Sequence, residues 1–545
     1  MTGFLPLLLL SLTPSCLSIG KKVPVQFGRV CGFGDFNGDR NTDVLVQRGT
    51  NLTILLQDDE LLNVLEEGVF TNSTSFSVGD DIVECSLGDF NGDTKLDVLV
   101  CLLILLDLRE IFSNFYVFLT PKNVAIDVDG DGWHDVLGFF ENGSMYCATF
   151  SPEGTRPHDC SDLFVGFVRL DPYPKVPHLF FHPFLTNYFY STCSALFYLV
   201  QFVGAPLAAD FDADGLIELL VPICRKENCK QVPQFTDYLF YYYLLKFHWI
   251  DLTNFNILSD EDSLILFRVG DFSLDGYPDL VATLVEKQSL GQIKVIDNVL
   301  CTNCDRNGTR RFEINKSIFI QPKEVALGEI KMASFFDLKE DGNLDILIEY
   351  KPFEGETKFS FIPCDDKGDV TFLKVTVFTN VCDKHCKPSS KELGSGISWG
   401  GACASFSMSD GWGGSLKSSA CQIPAATHRA LAPPYVLFGL GRSPNFVDEL
   451  TIGAPLYSDA LNARQHTLKQ IVPNSRIVVI PPKDGSQWLT RLYVTPSQLI
   501  LQSLAVIALV CVMLLMVVAF LHYRERKEDR VERQQQSQRF HFDAM

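Results

Sequence analysis

Six short Asp-rich segments recur along the N-terminal part of the chain. They begin at positions 35, 89, 127, 210, 271 and 337, and the first two read DFNGDRNTDVLV and DFNGDTKLDVLV. Most copies carry oxygen-bearing side chains at positions 1, 3, 5 and 9 of the segment. Short carboxylates at alternate positions of a tight loop can converge on one hard cation, and Ca²⁺ prefers such oxygen ligands. A Gly at position 4 or 6 allows the sharp turn, so the sequence predicts structural Ca²⁺ sites.

The candidate metal ligands come from the first five segments. They are Asp35, Asn37, Asp39, Asp43, Asp89, Asn91, Asp93, Asp97, Asp127, Asp129, Asp131, Asp135, Asp210, Asp212, Asp214, Glu218, Asp271, Ser273, Asp275 and Asp279. The segments that begin at Asp127 and Asp210 are fully acidic, whereas the sixth has Lys339 at position 3. We expect the sixth loop to bind metal weakly or to be purely structural. Acidic β-turns without metal are the alternative interpretation for individual copies.

The elements around these segments are predicted to be strands. An EF-hand needs a Glu at position 12 and flanking helices, but position 12 is not acidic in any of the six copies. From position 9 onward the copies read DVLV, DVLV, DVLG, ELLV, DLVA and DILI. Such short runs rich in β-branched residues are typical of strands, so the loops are expected to connect strands.

The best copy, FGDFNGD at residues 33–39, resembles the FG-GAP/VCBS repeat of integrin α-subunit propellers. This resemblance covers about residues 28–350 and implies an all-β fold, an FG-GAP β-propeller whose loops hold structural Ca²⁺. The family usually closes seven blades, and six motifs are present. We expect the seventh blade, without a loop, in the 83-residue interval from Asp127 to Asp210. The 38-residue interval from Asp89 to Asp127 indicates either a shortened blade or an incomplete gene model.

The composition excludes some classes of protein. Lys and Arg number 46 against 66 Asp and Glu, which gives a net charge of −20. Nucleic-acid binders depend on Lys and Arg to neutralise phosphates, so no nucleic-acid partner is expected. A hydrophobic content of 46% is enough to build folded cores and argues against a disordered acidic chain.

Both ends of the chain carry apolar segments. Residues 4–12 read FLPLLLLSL, which predicts a signal peptide over residues 1–19. Residues 499–521 are almost wholly apolar and long enough to cross a bilayer as a helix. Arg524, Arg526, Lys527 and Arg530 follow at once, which by the positive-inside rule makes residues 522–545 a cytoplasmic tail. The sequence therefore predicts a type I single-pass protein of the cell membrane with an extracellular ectodomain, and a shed or secreted form is left open.

An extracellular location changes how the cysteines are interpreted. Of 17 Cys, Cys16 lies in the signal segment and Cys511 in the membrane segment, and the close pairs among the others favour disulfides over zinc sites. Five N-x-S/T sequons precede the membrane segment and are candidate glycosylation sites. They are Asn51, Asn72, Asn142, Asn307 and Asn315.

Two domains are expected before the membrane segment: the propeller over residues 20–364 and a membrane-proximal β-rich domain over 365–496. In the second domain, residues 374–380, 476–482 and 489–495 are predicted strands. Residues 394–414 are rich in Gly and Ser and are expected to form a long loop. Residues 437–452, LFGLGRSPNFVDELTI, resemble the β-domain that follows such propellers in some extracellular proteins.

The whole arrangement resembles a family of FG-GAP type I membrane proteins, which implies a cell-surface glycoprotein in recognition or adhesion and in modulation of T-cell function. The expected partner is an extracellular or cell-surface protein. The tail segment RERKEDRVERQQQSQR is either a solvated helix or a docking site for a cytosolic partner.

The alternative is a glycan-binding or phospholipase-associated propeller. The G-x-S-x-G at residues 396–400 would place a nucleophile at Ser398. Such an elbow needs a strand before it and a helix after it, and the flanking KELGS and GACASFS fit neither. The sequence therefore predicts a protein that is not an enzyme.

Overall fold

The structure is a computed structural model of the 545-residue chain. Its main body lies within Met1–Tyr493, and a second unit comprises Val494–Met545. The residues that the structure describes are 25–57, 70–78, 82–93, 95–102, 124–129, 131–139, 145–151, 154, 156–159, 170–173, 176–178, 202–203, 207–224, 238–242, 255–257, 267–286, 292–300, 310–315, 328–364, 370–379, 397–409, 414–423, 431–442, 445–455, 464–482, 487–494 and 498–542. The predicted signal peptide, residues 1–19, lies outside them.

The repeat region consists of short strands. They are β1 (Gln26–Phe27), β2 (Arg29–Gly34), β3 (Asp43–Arg48), β4 (Asn51–Gln57), β5 (Phe70–Ser77), β6 (Ile82–Gly88), β7 (Asp97–Leu102), β8 (Val124–Ile126), β9 (Asp135–Phe139), β10 (Met145–Thr149), β11 (Arg156–Asp159), β12 (Leu170–Tyr173), β13 (Val176–His178), β14 (Phe202–Val203), β15 (Leu207–Ala209), β16 (Glu218–Cys224), β17 (Tyr238–Tyr242), β18 (Phe255–Ile257), β19 (Arg268–Gly270), β20 (Asp279–Glu286), β21 (Gln292–Leu300), β22 (Arg310–Ile314), β23 (Gly328–Phe336), β24 (Asp345–Pro352) and β25 (Lys358–Ile362).

These strands form seven separate antiparallel sheets within the described residues. Consecutive strands are neighbours in most of them, as in the orders β2-β3-β4-β5 and β8-β9-β10-β11. Six of the sheets contain one acidic loop each, and the loop always connects two paired strands: β2 and β3, β6 and β7, β8 and β9, β15 and β16, β19 and β20, or β23 and β24. The predicted position of the loops between strands is therefore confirmed. The seventh sheet, β12-β13, has no acidic loop and lies in the long interval between Asp127 and Asp210.

The DVLV runs are explained by the burial of the strand that follows each acidic loop. In β3, Val44, Leu45 and Val46 are all fully buried. Val44 and Val46 pack in a core with the sheet of β23 to β25, whereas Leu45 packs with Leu87 of β6. Successive side chains of a strand point to opposite faces, so β3 is covered on both faces by other sheets. A strand buried on both faces needs a continuous apolar run rather than alternation.

The first and last sheets of the repeat region are joined. Strand β1 pairs with β25, with Gln26 opposite Phe359 and Phe27 opposite Lys358, and so completes the order β23-β24-β25-β1. The rings of Phe33 and Phe336 lie 5.0 Å apart in the core between these sheets. The start of the described chain thus forms the outer strand of the last sheet. A disulfide between Cys31 and Cys85 connects the first sheet to the second.

The membrane-proximal part is a sandwich of two four-stranded sheets. Its strands are β26 (Thr371–Val377), β27 (Cys403–Ser409), β28 (Ser415–Cys421), β29 (Val436–Gly441), β30 (Val447–Gly453), β31 (Gln465–Ile471), β32 (Ser475–Ile480) and β33 (Leu489–Val494). One sheet has the order β29-β26-β32-β33 and the other β28-β27-β30-β31. Their facing side chains, such as Val375 and Phe406, form one core. The three strands predicted here from the sequence correspond to β26, β32 and β33.

The prediction of a long loop over residues 394–414 is wrong. Cys403–Ser409 forms β27, which lies between β28 and β30 and is joined to β28 by the disulfide Cys403–Cys421. Its sequence, CASFSMS, alternates small polar residues with buried Ala404, Phe406 and Met408. This alternation is the pattern of a strand with one buried face, and the Gly and Ser content concealed it.

The second unit contains one long helix, α1 (Gln498–Phe542), of 45 residues. Within it, Leu504–Gln536 includes a stretch long and apolar enough to cross a membrane. The predicted membrane segment 499–521 lies inside α1, and the helix continues into the charged tail as far as Phe542.

Candidate metal-binding loops

The carboxylate at position 9 ties each loop to its sheet. Asp135 Oδ2 accepts a hydrogen bond from Val128 N at 2.9 Å, and its Oδ1 accepts one from Phe150 N at 2.9 Å. In the first loop Asp43 makes the same pair of bonds, with Phe36 N at 2.8 Å and Gln57 N at 2.9 Å. In these two loops the position 9 carboxylate therefore joins the start of the loop to the end of the third strand.

The carboxylates at positions 1 and 5 hold the turn itself. In the third loop Asp127 Oδ2 accepts from Gly132 N at 2.8 Å, and Asp127 Oδ1 accepts from Asp131 N at 3.2 Å. Asp131 Oδ1 in turn accepts from Trp133 N at 2.8 Å. Side-chain carboxylates commonly close such turns by bonding backbone N–H groups. The short side chains at these positions are thus required by the turn as well as suited to a cation.

In the four loops whose positions 4 and 6 are both described, two residues adopt a left-handed backbone conformation. In the fourth loop these are Ala213 at position 4, with φ of 57°, and Gly215 at position 6, with φ of 92°. In the first loop the glycine is at position 4, Gly38, and Arg40 occupies position 6 with φ of 74°. In these four loops the sequence has Gly at only one of the two positions, whereas the backbone has positive φ at both.

The two fully acidic loops bring their carboxylates together. In the fourth loop, oxygen atoms of Asp210, Asp212, Asp214 and Glu218 all lie within 4.8 Å of one another. In the third loop, those of Asp127, Asp129 and Asp135 do so. Three or four carboxylates at this spacing match the hard oxygen donors that Ca²⁺ takes. The donor sets therefore fit Ca²⁺ best at the same two loops that the sequence ranks as fully acidic.

In the other three predicted sites, the candidate ligands bond to one another, to the loop backbone or to an arginine. In the first loop Asn37 Nδ2 donates to Asp39 Oδ2 at 2.8 Å. In the second, Asn91 Oδ1 accepts from Asp93 N at 2.9 Å, while Asp89 Oδ1 accepts from Gly92 N at 2.7 Å. In the fifth, Asp275 lies 3.4 Å from Arg310. Residues Ser273 and Asp279 of that loop are joined by a bond from Ser273 N to Asp279 Oδ2 of 3.0 Å.

Burial raises the pKa of several carboxylates at positions 1 and 9 of the loops. Desolvation is the largest cause at Asp43, Asp135, Asp210 and Asp271, whose pKa values rise to about 7. Neighbouring carboxylates, such as Asp214 beside Asp210, add to the rise because like charges disfavour ionisation. A bound cation would oppose both effects, because an adjacent positive charge favours the ionised carboxylate.

The sandwich contacts three of the loops at the same atom. Asp210 Oδ2 accepts from Ser419 N at 3.0 Å, and Asp271 Oδ2 accepts from Gly439 N at 2.9 Å. In the sixth loop Asp337 Oδ2 lies 3.0 Å from Nζ of Lys374, a residue of β26. Sequence reasoning missed these contacts. One sequence feature that could have indicated such a contact was the glycine at position 439, in the segment LFGLGRSPNF.

Two of the candidate glycosylation sites have described side chains. Asn51 is exposed at the start of β4. Asn315 is half-buried, and its Nδ2 donates to Asp297. Asn72 lies in β5, and Asn142 and Asn307 lie outside the described residues.

The alternative nucleophile has no elbow around it. Ser398 forms an isolated bridge with Phe378, and the next regular element is the strand β27 rather than a helix. The geometry that would expose and activate this hydroxyl is therefore missing from residues 397–409.

Repeated sheets with acidic loops between paired strands define the class of protein. Residues 35–100 match the FG-GAP-like repeat family, and residues 394–493 match the family described as ITFG1, C2 domain. The chain is 50% identical to Protein linkin of Caenorhabditis elegans, and the match covers 100% of both chains. It is 29% identical to the human T-cell immunomodulatory protein over 95% of this chain and 92% of that one. The chain therefore belongs to the family of linkin and the T-cell immunomodulatory proteins, which confirms the resemblance seen in the sequence.

A solved structure gives a weaker match. A lectin of Agrocybe aegerita, described as recognising non-reducing terminal N-acetylglucosamine, is 13% identical and aligns over 62% of this chain and 81% of the lectin. Its TM-score is 0.24, and it carries no argument here. The names of these two relatives describe linkin or immunomodulation and no catalytic activity.

Proposed function

We propose that this protein is a cell-surface recognition or adhesion protein whose ectodomain is a Ca²⁺-stabilised β-propeller followed by a C2-like sandwich. The observation that carries the proposal is the convergence of four carboxylates in the fourth loop and three in the third. In this proposal Ca²⁺ is structural: it neutralises carboxylates that the turns already hold in place. The names of its relatives support a role in modulating T-cell function.

The propeller is supported by how the sheets pack. Strands β3 and β24 each place alternate side chains against two different neighbouring sheets, as the blades of a ring do. The pairing of β1 with β25 joins the beginning of the region to its end. With β12-β13 as the sheet that has no acidic loop, the proposed ring has seven blades.

The proposed anchor is α1, with the basic residues after residue 521 on the cytoplasmic side. This places the Asn51 sequon and the disulfides Cys31–Cys85 and Cys403–Cys421 outside the cell, where glycans and disulfides form. The expected partner is therefore an extracellular or cell-surface protein. A cytosolic partner would bind the charged part of α1.

The metal proposal is tested by thermal unfolding of the full-length protein in detergent, with chelator or with millimolar Ca²⁺. We expect Ca²⁺ to raise Tm by about 5 °C or more, because ligands that bind only the native state stabilise it by mass action. Asp129→Ala, whose side chain is exposed and belongs to the third cluster, should reduce this response. The control is Asp448→Ala, an exposed carboxylate of the sandwich. An identical Tm in chelator and Ca²⁺ would refute the metal proposal.

The recognition proposal is tested by proximity labelling of living cells that display the full-length protein. We expect cell-surface proteins to be enriched over those labelled by a membrane-anchored control that lacks the ectodomain. Labelling indistinguishable from that control would refute recognition at the cell surface.

A further inference from the structure

The sixth loop, residues 337–345, receives a side chain from the sandwich. Lys374 Nζ lies 3.0 Å from Asp337 Oδ2 and also contacts Glu340 Oε2. The side chains are buried, with exposed fractions of 1% for Lys374, 0% for Asp337 and 7% for Glu340. A buried ammonium is costly unless it is paired with opposite charge, so these three groups depend on one another.

The remaining surroundings of the ammonium are also specific. The ring of Tyr435 lies 3.7 Å from Nζ, and the Tyr435 hydroxyl accepts a bond from Asp337 N at 3.1 Å. An aromatic face stabilises an adjacent cation. Glu340 is fixed from the other side, because its Oε1 accepts from Thr42 Oγ1 at 2.8 Å and its Oε2 lies 3.5 Å from Arg476. The ammonium is thus held between two carboxylates and an aromatic ring.

The fourth and fifth loops provide the comparison. There the position 1 oxygen equivalent to Asp337 Oδ2 accepts a neutral backbone N–H, from Ser419 or from Gly439. In the fifth loop Arg310 reaches Asp275 at 3.4 Å, but its carboxylate partner is 45% exposed and Arg310 belongs to the repeat region itself. In the sixth loop, by contrast, the same oxygen lies 3.0 Å from the buried ammonium of Lys374, which belongs to the sandwich.

The electrostatics agree with this pairing. Burial raises the pKa of Asp337 to about 6, and Lys374 opposes the rise. Burial also acts to raise the pKa of Glu340, but Lys374 and Arg476 outweigh it and the net pKa is lowered. The sixth loop therefore obtains from the chain itself the compensation that a metal would otherwise supply.

We propose that the Lys374 ammonium takes the place of the divalent cation in the sixth loop, so that this loop binds no metal and joins the repeat region to the sandwich without Ca²⁺. The inference rests on the proposed function only in treating the other loops as Ca²⁺ sites. The reason for the absence of metal is then Lys374 and not, as the sequence suggested, Lys339 alone.

The charge pairing is tested in chelator, on the full-length protein in detergent, by Tm and by the amount of folded protein at the cell surface. Lys374→Met keeps the length of the side chain and leaves two buried carboxylates, so it should lower Tm by about 5 °C or more. Adding Glu340→Gln should recover part of this loss, because it removes one of the two buried carboxylates that the ammonium had compensated. The matched control is Lys469→Met. The Lys469 side chain is exposed on β31, so this substitution should leave Tm unchanged.

The outcomes of this test are distinct. If Lys374→Met does not reach the surface, recovery of folded protein in the double variant supports the proposal. A double variant that is no better than Lys374→Met alone would overturn it, because the loss would then come from packing rather than from charge.

Metal stoichiometry separates this inference from the proposed function. By equilibrium dialysis with radioactive Ca²⁺, Asp214→Ala should remove about one ion per chain, whereas Asp341→Ala in the sixth loop should remove none. Loss of an ion in Asp341→Ala would overturn the inference. If the wild-type protein bound no Ca²⁺, the proposed function would fail, yet the comparison in chelator would still decide the role of Lys374.

Discussion

At the residue scale, the loop carboxylates hold the backbone of the turn by hydrogen bonds even when no metal is bound. Asp135 accepts two backbone N–H bonds and Asp127 accepts bonds from two others, although both belong to the third acidic cluster. A carboxylate oxygen has more than one lone pair, so the same atoms can hold the turn and bind an ion. Substitution at positions 1 and 9 therefore mixes two effects. Asp129 is exposed and accepts one backbone bond, from Asp131 N at 3.2 Å, so its substitution disturbs the turn least.

The raised pKa values predict an unusual pH dependence in chelator. Asp135 and Asp210 titrate at about 7 in the native state and at 3.8 ordinarily, so the native state binds more protons between these values. The free energy of unfolding must then fall as pH rises through this window. Buried His134, whose pKa is lowered to about 4, acts in the opposite direction below pH 6.5 but is a single group.

We expect Tm in chelator to fall by about 5 °C between pH 5 and pH 7.5, and to fall less in millimolar Ca²⁺, because the ion favours the ionised carboxylates. Thermal unfolding across this range with and without Ca²⁺ measures both effects. A metal-free Tm that rises over the same range would contradict the prediction.

At the element scale, the first, fourth, fifth and sixth loops each turn through two left-handed positions of which only one is glycine. Ala213 and Glu340 occupy position 4 with φ of 57° and 52°, and Gly215 and Gly342 occupy position 6 with φ of 92° and 82°. A left-handed conformation costs a residue with a Cβ about 1 kcal/mol. The loops therefore retain strain at one position, which the hydrogen bonds of positions 1, 5 and 9 must overcome.

The fourth loop offers a clean test of this strain. Ala213→Gly should stabilise the protein by about 0.5 kcal/mol, the relief of strain being partly offset by the greater flexibility of the unfolded chain. Gly215→Ala should destabilise it by about 1 kcal/mol, since a Cβ there would meet only Lys417 Cβ at 4.0 Å and the cost is backbone strain. Denaturant unfolding in chelator measures both changes in the free energy of unfolding. Equal effects of the two substitutions would refute the assignment of backbone strain to Ala213.

At the scale of the whole molecule, the sandwich packs against the loops of the repeat region. Gly439 N bonds Asp271, Gly441 N donates to Leu274 O at 2.9 Å, and Ser419 Oγ donates to Gly215 O at 2.8 Å. The conformation of these loops and the packing of the sandwich against them are therefore coupled. An ion that fixes the fourth and fifth loops would also fix the surface on which the sandwich rests.

Gly439 tests the close approach of the sandwich to the repeat region. A Cβ at this position would lie 2.2 Å from Asp271 Oδ2 and 2.3 Å from the carbonyl carbon of Leu274. Gly439→Ala should therefore destabilise the protein by about 2 kcal/mol, which denaturant unfolding in chelator measures. Gly453→Ala is the matched control, because a Cβ there would lie 3.9 Å from its nearest neighbours. Equal free energies of unfolding in the two variants would contradict this account of the interface.

The sequence by itself determined the features that depend on local pattern. The spacing of Asp at positions 1, 3, 5 and 9 indicated the loops, the DVLV runs indicated the strands, and the apolar run near the C-terminus indicated the long helix. Each of these is encoded within a few adjacent turns or strand residues. Where local composition misled, as over β27, the alternating pattern was present but obscured by small residues.

Only the tertiary structure decided which groups meet. Lys374 lies 37 residues from Asp337 and Gly439 lies 168 residues from Asp271, and no spacing rule connects such positions. Lys374 alternates with the core residues Leu373 and Val375 and so points away from the sandwich core, which in a sequence indicates an exposed lysine. It is buried because the sixth loop covers that face, and a contact between distant segments of this kind is fixed by the packing of the whole molecule.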